Sequence, residues 1–295
     1  MHVHIGRSEN YLESIEVVDV SKHKILPHIS KLLSSHDKNQ YLNRINKIHI
    51  ENSNFNQADY HALERILHEC TYLEKIELNS NHIDTTPCSN LFDALLGKKL
   101  SAISLTDNWI GPKLPKNYFD FFATQTEITS ICFSLNWLGD TGIVMFMESL
   151  KKSVRELELS CNDFYLNGMM AIRNFVKECN FLSLLDISYN LIDSKLAKQI
   201  GCIIQEARSL ACLNINSNQI GDQGAFLIAD ALKNNRSIVS LNIADNKISF
   251  TGAQYLMDSI RNGAIKQLDL RHNCLNPEEK QHLTSQAPRE IKILI

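Results

Sequence analysis

The sequence has little net charge and no long apolar run. Its 30 Lys and Arg residues and 33 Asp and Glu residues give a formal net charge of −3, and without a basic patch nucleic acid is not expected to be the main ligand. No stretch reaches the roughly 18 apolar residues that a membrane-spanning helix needs. The short segment Met1–Gly6 is followed by polar residues, unlike a secretory signal peptide. We therefore expect a cytoplasmic protein without a membrane span.

Motifs of catalysis and metal binding are missing as well. The sequence contains no G-x-x-x-x-G-K-[ST] loop, no G-x-S-x-G turn, no H-E-x-x-H pair and no C-x-x-C pair. Cys70 and Cys179 each lie three residues before an apolar repeat position, which is typical of core packing, and without a secretion signal we expect the eight cysteines to stay reduced. The sequence therefore predicts no enzyme, no cofactor and no metal site.

Asparagine, in contrast, recurs with a nearly fixed spacing over most of the chain. The ladder asparagines are Asn81, Asn108, Asn136, Asn162, Asn190, Asn218, Asn246 and Asn273. Successive members are 26 to 28 residues apart, and each lies three residues after an apolar pair of the form L-x-L. A period in this range indicates one supersecondary unit that is stacked many times.

Each repeat follows the frame L-x-x-L-x-L-x-x-N-x-L, for example from Leu210 to Ile220. Alternating apolar residues predict a strand with one buried face, and apolar residues at i, i+4 and i+8 in the remainder predict a helix. Counted from Ile15, Val18 and Val20, the frame fits ten times. Parallel strands lie about 4.8 Å apart, whereas packed helices need about 8–10 Å. The predicted fold is therefore an α/β solenoid, a horseshoe arc of about ten repeats with a parallel β-sheet on the concave face and helices on the convex face.

An asparagine at the end of each strand has a physical task. Its amide offers two donors and an acceptor to the main-chain groups that the turn leaves in the interior. An unpaired buried polar group costs about 1–3 kcal/mol. We therefore predict that an apolar replacement of the ladder residue Asn190 destabilises the protein more than the same change at Asn235, which lies outside the ladder.

The repeat frame resembles that of leucine-rich repeat proteins, in the ribonuclease-inhibitor-like branch with long helical repeats. The resemblance covers roughly residues 15–286 and is specific for the fold. We expect an N-terminal cap over residues 1–14, the repeat array over 15–286 and a capping strand over 287–295. The resemblance implies no single function, because this scaffold carries inhibitors, immune sensors, GTPase activators and bacterial effectors.

The variable positions of the predicted strands face the concavity and are rich in carboxylates. Candidate partner-binding residues are those of the central column, with two apolar neighbours: Asp19, His49, Glu77, Cys132, Glu158, Asp186, Leu135 and Tyr189. The column contains no Lys or Arg, so it favours a protein partner with a basic surface. The alternative is that these residues are polar only because water covers them.

Trp109 and Trp137 are the only tryptophans, and each directly follows a ladder asparagine in successive repeats. They are therefore expected to lie side by side at one rim of the solenoid, next to His82. Paired exposed indoles are typical anchors of protein interfaces. The alternative is that each indole only covers its own turn. We predict that both tryptophans contact the partner.

Two functions fit such an array. The first is a protein–protein interaction module, and a stand-alone array of this kind is similar to effectors that bacterial pathogens secrete into the host cytosol to act on host proteins. The second is a GTPase-activating protein of the Ran-activator type. Such an activator commonly supplies an arginine to the transferred phosphate, and the candidates are Arg7 and Arg44.

The C-terminal end of the chain is apolar at alternate positions. Ile291, Ile293 and Ile295 predict a closing strand. An open strand edge can pair with another chain. The sequence therefore predicts a monomer or, through this edge, a weak dimer.

Overall fold

The computed structural model describes residues 2–8, 11–18, 42–43, 45–53, 55–261 and 263–295. The chain divides into two compact units. Unit 1 comprises residues 1–137 and 149–153, and unit 2 comprises residues 138–148 and 154–295. Within the described ranges, no helix is both long and apolar enough to cross a membrane.

The described residues of unit 1 form six strands and three helices. These elements are β1 His2–Ser8, β2 Tyr11–Val18, β3 Lys47–Glu51, α1 Gln57–Glu69, β4 Lys75–Asn79, α2 Thr85–Leu95, β5 Ala102–Ser104, α3 Lys116–Thr124 and β6 Ser130–Cys132. Strand β1 is antiparallel to β2, and β2 to β6 are parallel, each hydrogen-bonded to the next in chain order. Helices α1 to α3 pack against their neighbours in the same order.

Unit 2 continues the alternation of helix and strand. Its elements are α4 Gly139–Ser149, β7 Glu156–Glu158, α5 Leu166–Glu178, β8 Leu184–Asp186, α6 Ala197–Glu206, β9 Cys212–Asn214, α7 Gly221–Leu232, β10 Ser240–Asn242, α8 Phe250–Ile260, β11 Gln267–Asp269, α9 Pro277–Gln286 and β12 Lys292–Leu294. Strands β7 to β12 are all parallel, and α5 to α9 pack in chain order. The parallel strands alternating with helices confirm the predicted α/β solenoid.

The apolar positions of the repeat frame form the core of each unit. In unit 1, Ile76, Ile103 and Ile131 lie in register on neighbouring strands and are buried. In unit 2, Leu185 and Leu213 are paired and buried in the same way. Full burial of such a side chain contributes about 1.5–3 kcal/mol. The strands are therefore held by their apolar face, and their polar face is left for other contacts.

The first repeat departs from the predicted frame. Strand β2 pairs with β3 in a register that puts Glu16 beside His49. The sequence frame placed Asp19 in that position, so it was wrong by three residues here, and Asp19 itself lies outside the described residues. The reason is that this register places Ile15 beside Ile48 and Val17 beside Ile50, which aligns the apolar residues of the two strands. Residue 14, the predicted end of the cap, lies inside β2.

Close packing between repeats explains a glycine near the start of a helix. A Cβ atom on Gly224 would lie 2.5 Å from Cγ2 of Ile220 and 2.8 Å from Cβ of Ala197. Carbon atoms that are not bonded do not approach so closely, since optimal separations are about 3.5–4.0 Å. Only a residue without a Cβ fits here unless the neighbouring repeat moves.

Candidate protein-binding surfaces

The ladder asparagines connect the turns of successive repeats. In unit 1, Nδ2 of Asn108 donates to the carbonyl oxygen of Leu78, and Oδ1 accepts the N–H groups of Asn81 and Ile83 at 3.0 and 3.2 Å. In unit 2, the buried Asn190 donates through Nδ2 to three main-chain carbonyls. Each amide thus satisfies main-chain groups that would otherwise be buried without a partner.

Asn235 lies outside the ladder but makes the same kind of hydrogen bonds. Its Nδ2 donates to the carbonyl oxygen of Ile204 at 2.6 Å, and its Oδ1 accepts the N–H groups of Ser237 and Ile238 at 3.0 and 2.8 Å. The side chain is buried. Asn235 is therefore also sensitive to replacement, because burial and hydrogen bonding set the effect, and the greater sensitivity of Asn190 stays a prediction.

The backbone is left-handed on one or both sides of the ladder asparagines. Leu135 and Trp137 flank Asn136 with φ angles of +58° and +53°, and Trp109 follows Asn108 with +58°. This conformation costs of order 1–3 kcal/mol for a residue other than glycine. The asparagines are buried whereas the two tryptophans and Leu135 are exposed. The turns therefore hold bulky apolar side chains in water and in a strained backbone.

Four exposed residues from three successive turns of unit 1 form the surface that we call the Trp rim: His82, Trp109, Leu135 and Trp137. The two indoles are nearly parallel, with an interplanar angle of 8° and 6.3 Å between ring centroids. His82 meets Trp109 edge to face with 4.4 Å between centroids. Trp109 is 51% exposed and Trp137 is 58% exposed. The Trp rim is therefore a row of accessible aromatic surfaces.

The strand face of unit 1 contains an ion-paired cluster. Nδ1 of His49 lies 2.5 Å from Oε2 of Glu77, and Nζ of Lys47 lies 3.0 Å from Oε1. Partial burial would raise the pKa of Glu77, but hydrogen bonds from Lys47 and His49 outweigh burial and hold that pKa below its ordinary value. The predicted residues His49 and Glu77 are thus in contact. Lys47, which lies outside the predicted central column, offsets the negative charge of Glu77.

Cys132, another predicted contact residue, lies on the same strand face of unit 1 and is half-buried. Its Sγ lies 3.0 Å from Oγ1 of Thr106 and 3.8 Å from Oγ of Ser134. The thiol is therefore one member of a row of small polar groups. Seven cysteines of the described residues, Cys132 among them, are reduced.

Unit 2 has a shallow depression of about 330 Å³ on its strand face. The lining residues are Glu158, Leu184, Asp186, Cys212, Leu213, Asn214, Ser240, Asn242 and Gln267. Asp186 accepts hydrogen bonds from the main-chain N–H and hydroxyl of Ser188 and from Nδ2 of Asn214, at 2.9, 2.6 and 2.7 Å. All three donors are neutral, and the lining contains no Lys or Arg. The predicted residues Glu158 and Asp186 thus share a polar depression of negative charge.

Unit 2 also has an exposed apolar turn. Tyr189 and Leu191 flank Asn190 with φ angles of +55° and +56°, and both side chains are exposed. Sequence reasoning selected Tyr189 but missed Leu191. The signal was present, because Leu191 follows a ladder asparagine just as Trp109 and Trp137 do.

The structure gives no side-chain positions for the two candidate arginines of the GTPase-activator hypothesis. Arg44 lies outside the described residues, and for Arg7 the description is limited to its backbone in β1. The predicted contact residues that can be placed fall into separate groups. In unit 1 these are the Trp rim and the His49–Glu77 pair, and in unit 2 the depression and the Tyr189 turn.

The sequence profile of the family described as Leucine Rich repeat matches residues 151–172, 206–229 and 234–257. These segments combine a predicted strand, a ladder asparagine and a helix start of unit 2. These three segments therefore match leucine-rich repeats. No curated protein sequence matches this chain.

Solved structures resemble the chain at low sequence identity. One similar structure is a chain in the crystal structure of the Rad7 and Elc1 complex in yeast. The similar region covers 90% of this chain and 65% of the yeast chain, with 18% identity and a TM-score of 0.60. The tropomodulin C-terminal domain of Caenorhabditis elegans and actin-binding site 2 of leiomodin-1 each match 50% of this chain, over 90% and 87% of their own lengths. Their identities are 12% and 14%, and their TM-scores 0.42 and 0.41. The match to the yeast structure shows the fold alone, an α/β repeat structure.

Proposed function

We propose that this chain is a protein-binding module and that the Trp rim of unit 1 is its contact surface. The observation that carries the proposal is the pair of parallel indoles of Trp109 and Trp137, both about half exposed. Tryptophan is enriched among the residues that contribute most to protein–protein binding. Both tryptophans of the chain lie in this one row.

Two features support a contact role over simple coverage of the turns. An indole that only covered its own turn would be largely buried against it, whereas Trp109 and Trp137 remain exposed. Both also have left-handed backbones, in which bulky residues are unfavourable. Exposed indoles and a strained backbone do not stabilise the free protein. A partner that buries the indoles would gain binding free energy from them.

The Trp rim is also ordered before binding. Its backbone is fixed by the ladder amides, and its side chains have few rotatable bonds. Preorganised aromatic residues lose little conformational entropy on association. The similarity to a structure described as the Rad7 and Elc1 complex is consistent with a binding role, although the partner named there belongs to that protein.

A capture experiment tests the proposal. The full chain carrying a proximity-labelling enzyme is compared with the double variant Trp109→Ala, Trp137→Ala in eukaryotic and bacterial lysates. The matched control is Tyr72→Ala, because Tyr72 is an exposed aromatic residue of unit 1 outside the Trp rim. We expect the double variant to lose its specific partner while the control keeps it. Equal labelling by all three proteins, with unchanged circular dichroism, would refute the proposal.

The finer predictions from the sequence extend this proposal. A partner with a basic surface would complement Glu158 and Asp186 in the depression of unit 2, where the lining contains no cation. In a bacterial effector the partner would be a host protein and the chain would act in the host cytosol; otherwise it would act in the cytoplasm of its own cell. Labelling that is confined to one of the two lysates would separate these cases.

The GTPase-activator alternative has its own test. A panel of small GTPases is assayed for GTP hydrolysis with the full chain and with Arg44→Ala. Acceleration that is lost in the variant would support an activator of the Ran type. A flat result across the panel would leave the binding module as the function.

The C-terminal strand β12 underlies the proposal of a weak dimer. It pairs with β11 on one side and ends the strand order of unit 2 on the other. Sedimentation at increasing concentration tests whether this edge joins two copies. A single monomeric species at all concentrations would remove the dimer.

A further inference from the structure

The turns that carry the Trp rim combine exposed indoles with carboxylate side chains. We propose that it binds an arginine side chain of the partner protein, with the guanidinium stacked on an indole face and attracted by a neighbouring carboxylate. The inference rests on the proposed function, in which the Trp rim is the contact surface. It adds the chemistry of the group that this surface recognises.

The two indoles of the Trp rim are parallel and exposed. Trp109 and Trp137 are parallel within 8°, with 6.3 Å between centroids. Aromatic pairs have centroids about 4.5–7 Å apart, so this pair lies toward the loose end of the range. Both rings are about half exposed. His82 already lies against Trp109 with 4.4 Å between ring centroids, so the more exposed Trp137 offers a second planar group the larger accessible indole surface.

The turns that carry the Trp rim contain acidic residues. The turns that carry the Trp rim span residues 80–84, 107–111 and 134–138, and they contain Asp84 and Asp107 but no Lys or Arg. The nearest basic residue along the chain is Lys113, two positions beyond the second turn. Asp107 lies two residues before Trp109, and its carboxylate accepts a hydrogen bond from the neutral hydroxyl of Ser80 at 2.9 Å. By their sequence, the turns that carry the two indoles therefore have a negative formal charge.

Among the groups that could contact the exposed indoles, an arginine side chain fits best. A cation over an indole face is attracted by the ring quadrupole, and more strongly when water is excluded. Arginine suits the site better than lysine, because its guanidinium is planar, stacks on aromatic rings and is weakly hydrated. A purely apolar occupant would remove water from Asp107 without supplying a charge partner, which is unfavourable. Charge complementarity therefore favours arginine.

The sequence itself supplies a direct readout. Trp109 and Trp137 are the only tryptophans, so intrinsic tryptophan fluorescence of the full chain reports on the Trp rim alone. The probes are a short peptide with three arginines, the same peptide with three lysines, and the same peptide with three citrullines. Citrulline keeps the planar shape of arginine but has no charge. We expect saturable quenching by the arginine peptide, weaker affinity for the lysine peptide and no saturable response to the citrulline peptide.

Variants assign the response to the proposed contacts. Trp137→Phe leaves Trp109 as the only reporter and keeps an aromatic face, so arginine should still quench it. Asp107→Asn should lower the affinity for the arginine peptide about two- to fivefold, the range expected for an exposed charge pair. The matched control is Asp230→Asn, because Asp230 is an exposed carboxylate on α7, and it should leave the affinity unchanged. Thermal melts establish that each variant is folded.

The outcomes separate this inference from the proposed function. Equal responses to the arginine and citrulline peptides, or no response to either, would overturn arginine recognition. If partner capture still depends on both tryptophans in that case, the Trp rim remains the contact surface for another chemistry. If capture is also indifferent to the tryptophans, both proposals fail. Equal affinities of the Asp107→Asn variant and the unaltered chain would overturn the role of the carboxylate.

Discussion

The side-chain amide of Asn136 holds the main chain on both sides of Trp109. Its Oδ1 accepts the N–H groups of Asn108 and Ile110, the two residues that flank Trp109, at 3.1 and 3.4 Å. Its Nδ2 donates to the carbonyl oxygen of Leu105 at 2.8 Å. A buried ladder residue of one repeat therefore fixes an exposed aromatic residue of the preceding repeat. The structural ladder and the Trp rim are one arrangement, and a change in the first should be visible in the second.

Replacing Asn136 by alanine should affect both stability and the Trp rim. The change leaves main-chain donors and acceptors buried without a partner, at about 1–3 kcal/mol for each group. We expect a loss of at least about 2 kcal/mol in the free energy of unfolding, on the basis of two such groups. The tryptophan emission of the folded variant should shift, because the backbone on both sides of Trp109 is released. Urea unfolding and fluorescence spectra measure the two effects.

The matched control for this variant is Asn234→Ala. Asn234 is exposed, unlike Asn235 and the ladder residues. Its replacement should change the free energy of unfolding by no more than about 0.5 kcal/mol, as for surface positions in general. Similar losses for Asn136→Ala and Asn234→Ala would contradict the role assigned to the ladder amide.

Much of the fold could be predicted from the sequence, because the repeat frame states the same pattern many times. The spacing of residues such as Asn190 and Asn218 predicted a strand, a turn and a helix in each unit, and the apolar positions predicted the core. The first repeat failed because no asparagine marks its turn and its strand is extended by pairing with β1. A frame that has lost its marker residue leaves the register undetermined by steps of a few residues.

The candidate site was less predictable than the fold. The sequence placed Trp109 and Trp137 in one row, because they occupy equivalent positions in successive repeats. It gave no sign that bulky residues there have left-handed backbones, since only Ser, Asp, Asn or His would suggest that conformation. It also treated the strand columns separately and so missed that Lys47 neutralises part of Glu77. Contacts between neighbouring columns depend on side-chain conformations, which a repeat frame does not specify.

A pair of glycines in unit 2 provides a second prediction. Gly224→Ala should destabilise the protein by about 1–3 kcal/mol, the usual effect of overpacking, because the added Cβ meets Ile220 and Ala197 at 2.5 and 2.8 Å. Gly201→Ala is the matched control on the neighbouring helix α6. There the nearest atom to the added Cβ is a carbonyl oxygen at 3.4 Å, so the higher helix propensity of alanine should stabilise the protein by up to about 1 kcal/mol. Thermal unfolding measures both, and opposite shifts in melting temperature are expected.

The Glu77 cluster predicts a pH-dependent contribution to stability. The folded state holds the pKa of Glu77 below its ordinary value of 4.5, so the carboxylate stabilises the protein above pH 4.5. This contribution is lost as the pH falls through the lower pKa of the folded state. Glu77→Gln should therefore reduce the free energy of unfolding at pH 7, by no more than about 1 kcal/mol for a partly exposed pair. The difference from the unaltered protein should shrink as the pH falls below 4.5.

The control for pH dependence is Glu156→Gln, because Glu156 is exposed on β7. Urea unfolding is measured for both variants from pH 7 down to the lowest pH at which the protein folds. A destabilisation of Glu77→Gln that grows as the pH falls would show that the sign is wrong. A loss that is equal in both variants at every pH would show that the contacts of Glu77 with Lys47 and His49 contribute nothing measurable.

Within unit 2, the carboxylate of Asp140 in one repeat caps the first turn of helix α5 in the next repeat. Helix α5 has no hydrogen-bonding cap from its own Tyr165. Instead, the carboxylate of Asp140 accepts the N–H groups of Tyr165, Asn167 and Gly168 at 2.6, 3.2 and 2.9 Å. Asp140→Ala should therefore cost about 1–2 kcal/mol, as the loss of an N-cap does. It should also speed amide hydrogen exchange in the first turn of α5 before other helices are affected.

Asp140→Asn separates hydrogen bonding from charge, because asparagine keeps an acceptor but loses the negative charge that favours a helix N-terminus by about 0.3–1 kcal/mol. Its loss of stability should lie between those of the unaltered protein and Asp140→Ala. Asp230→Ala is the control, since Asp230 forms an exposed ion pair with Lys233 on another helix, α7. If amide hydrogen exchange in α5 is equally fast in Asp140→Ala and Asp230→Ala, the Asp140 cap does not stabilise the start of this helix. If only Asp140→Ala accelerates exchange there, the helix start depends on a residue of the preceding repeat, and this coupling extends cooperativity beyond the ladder.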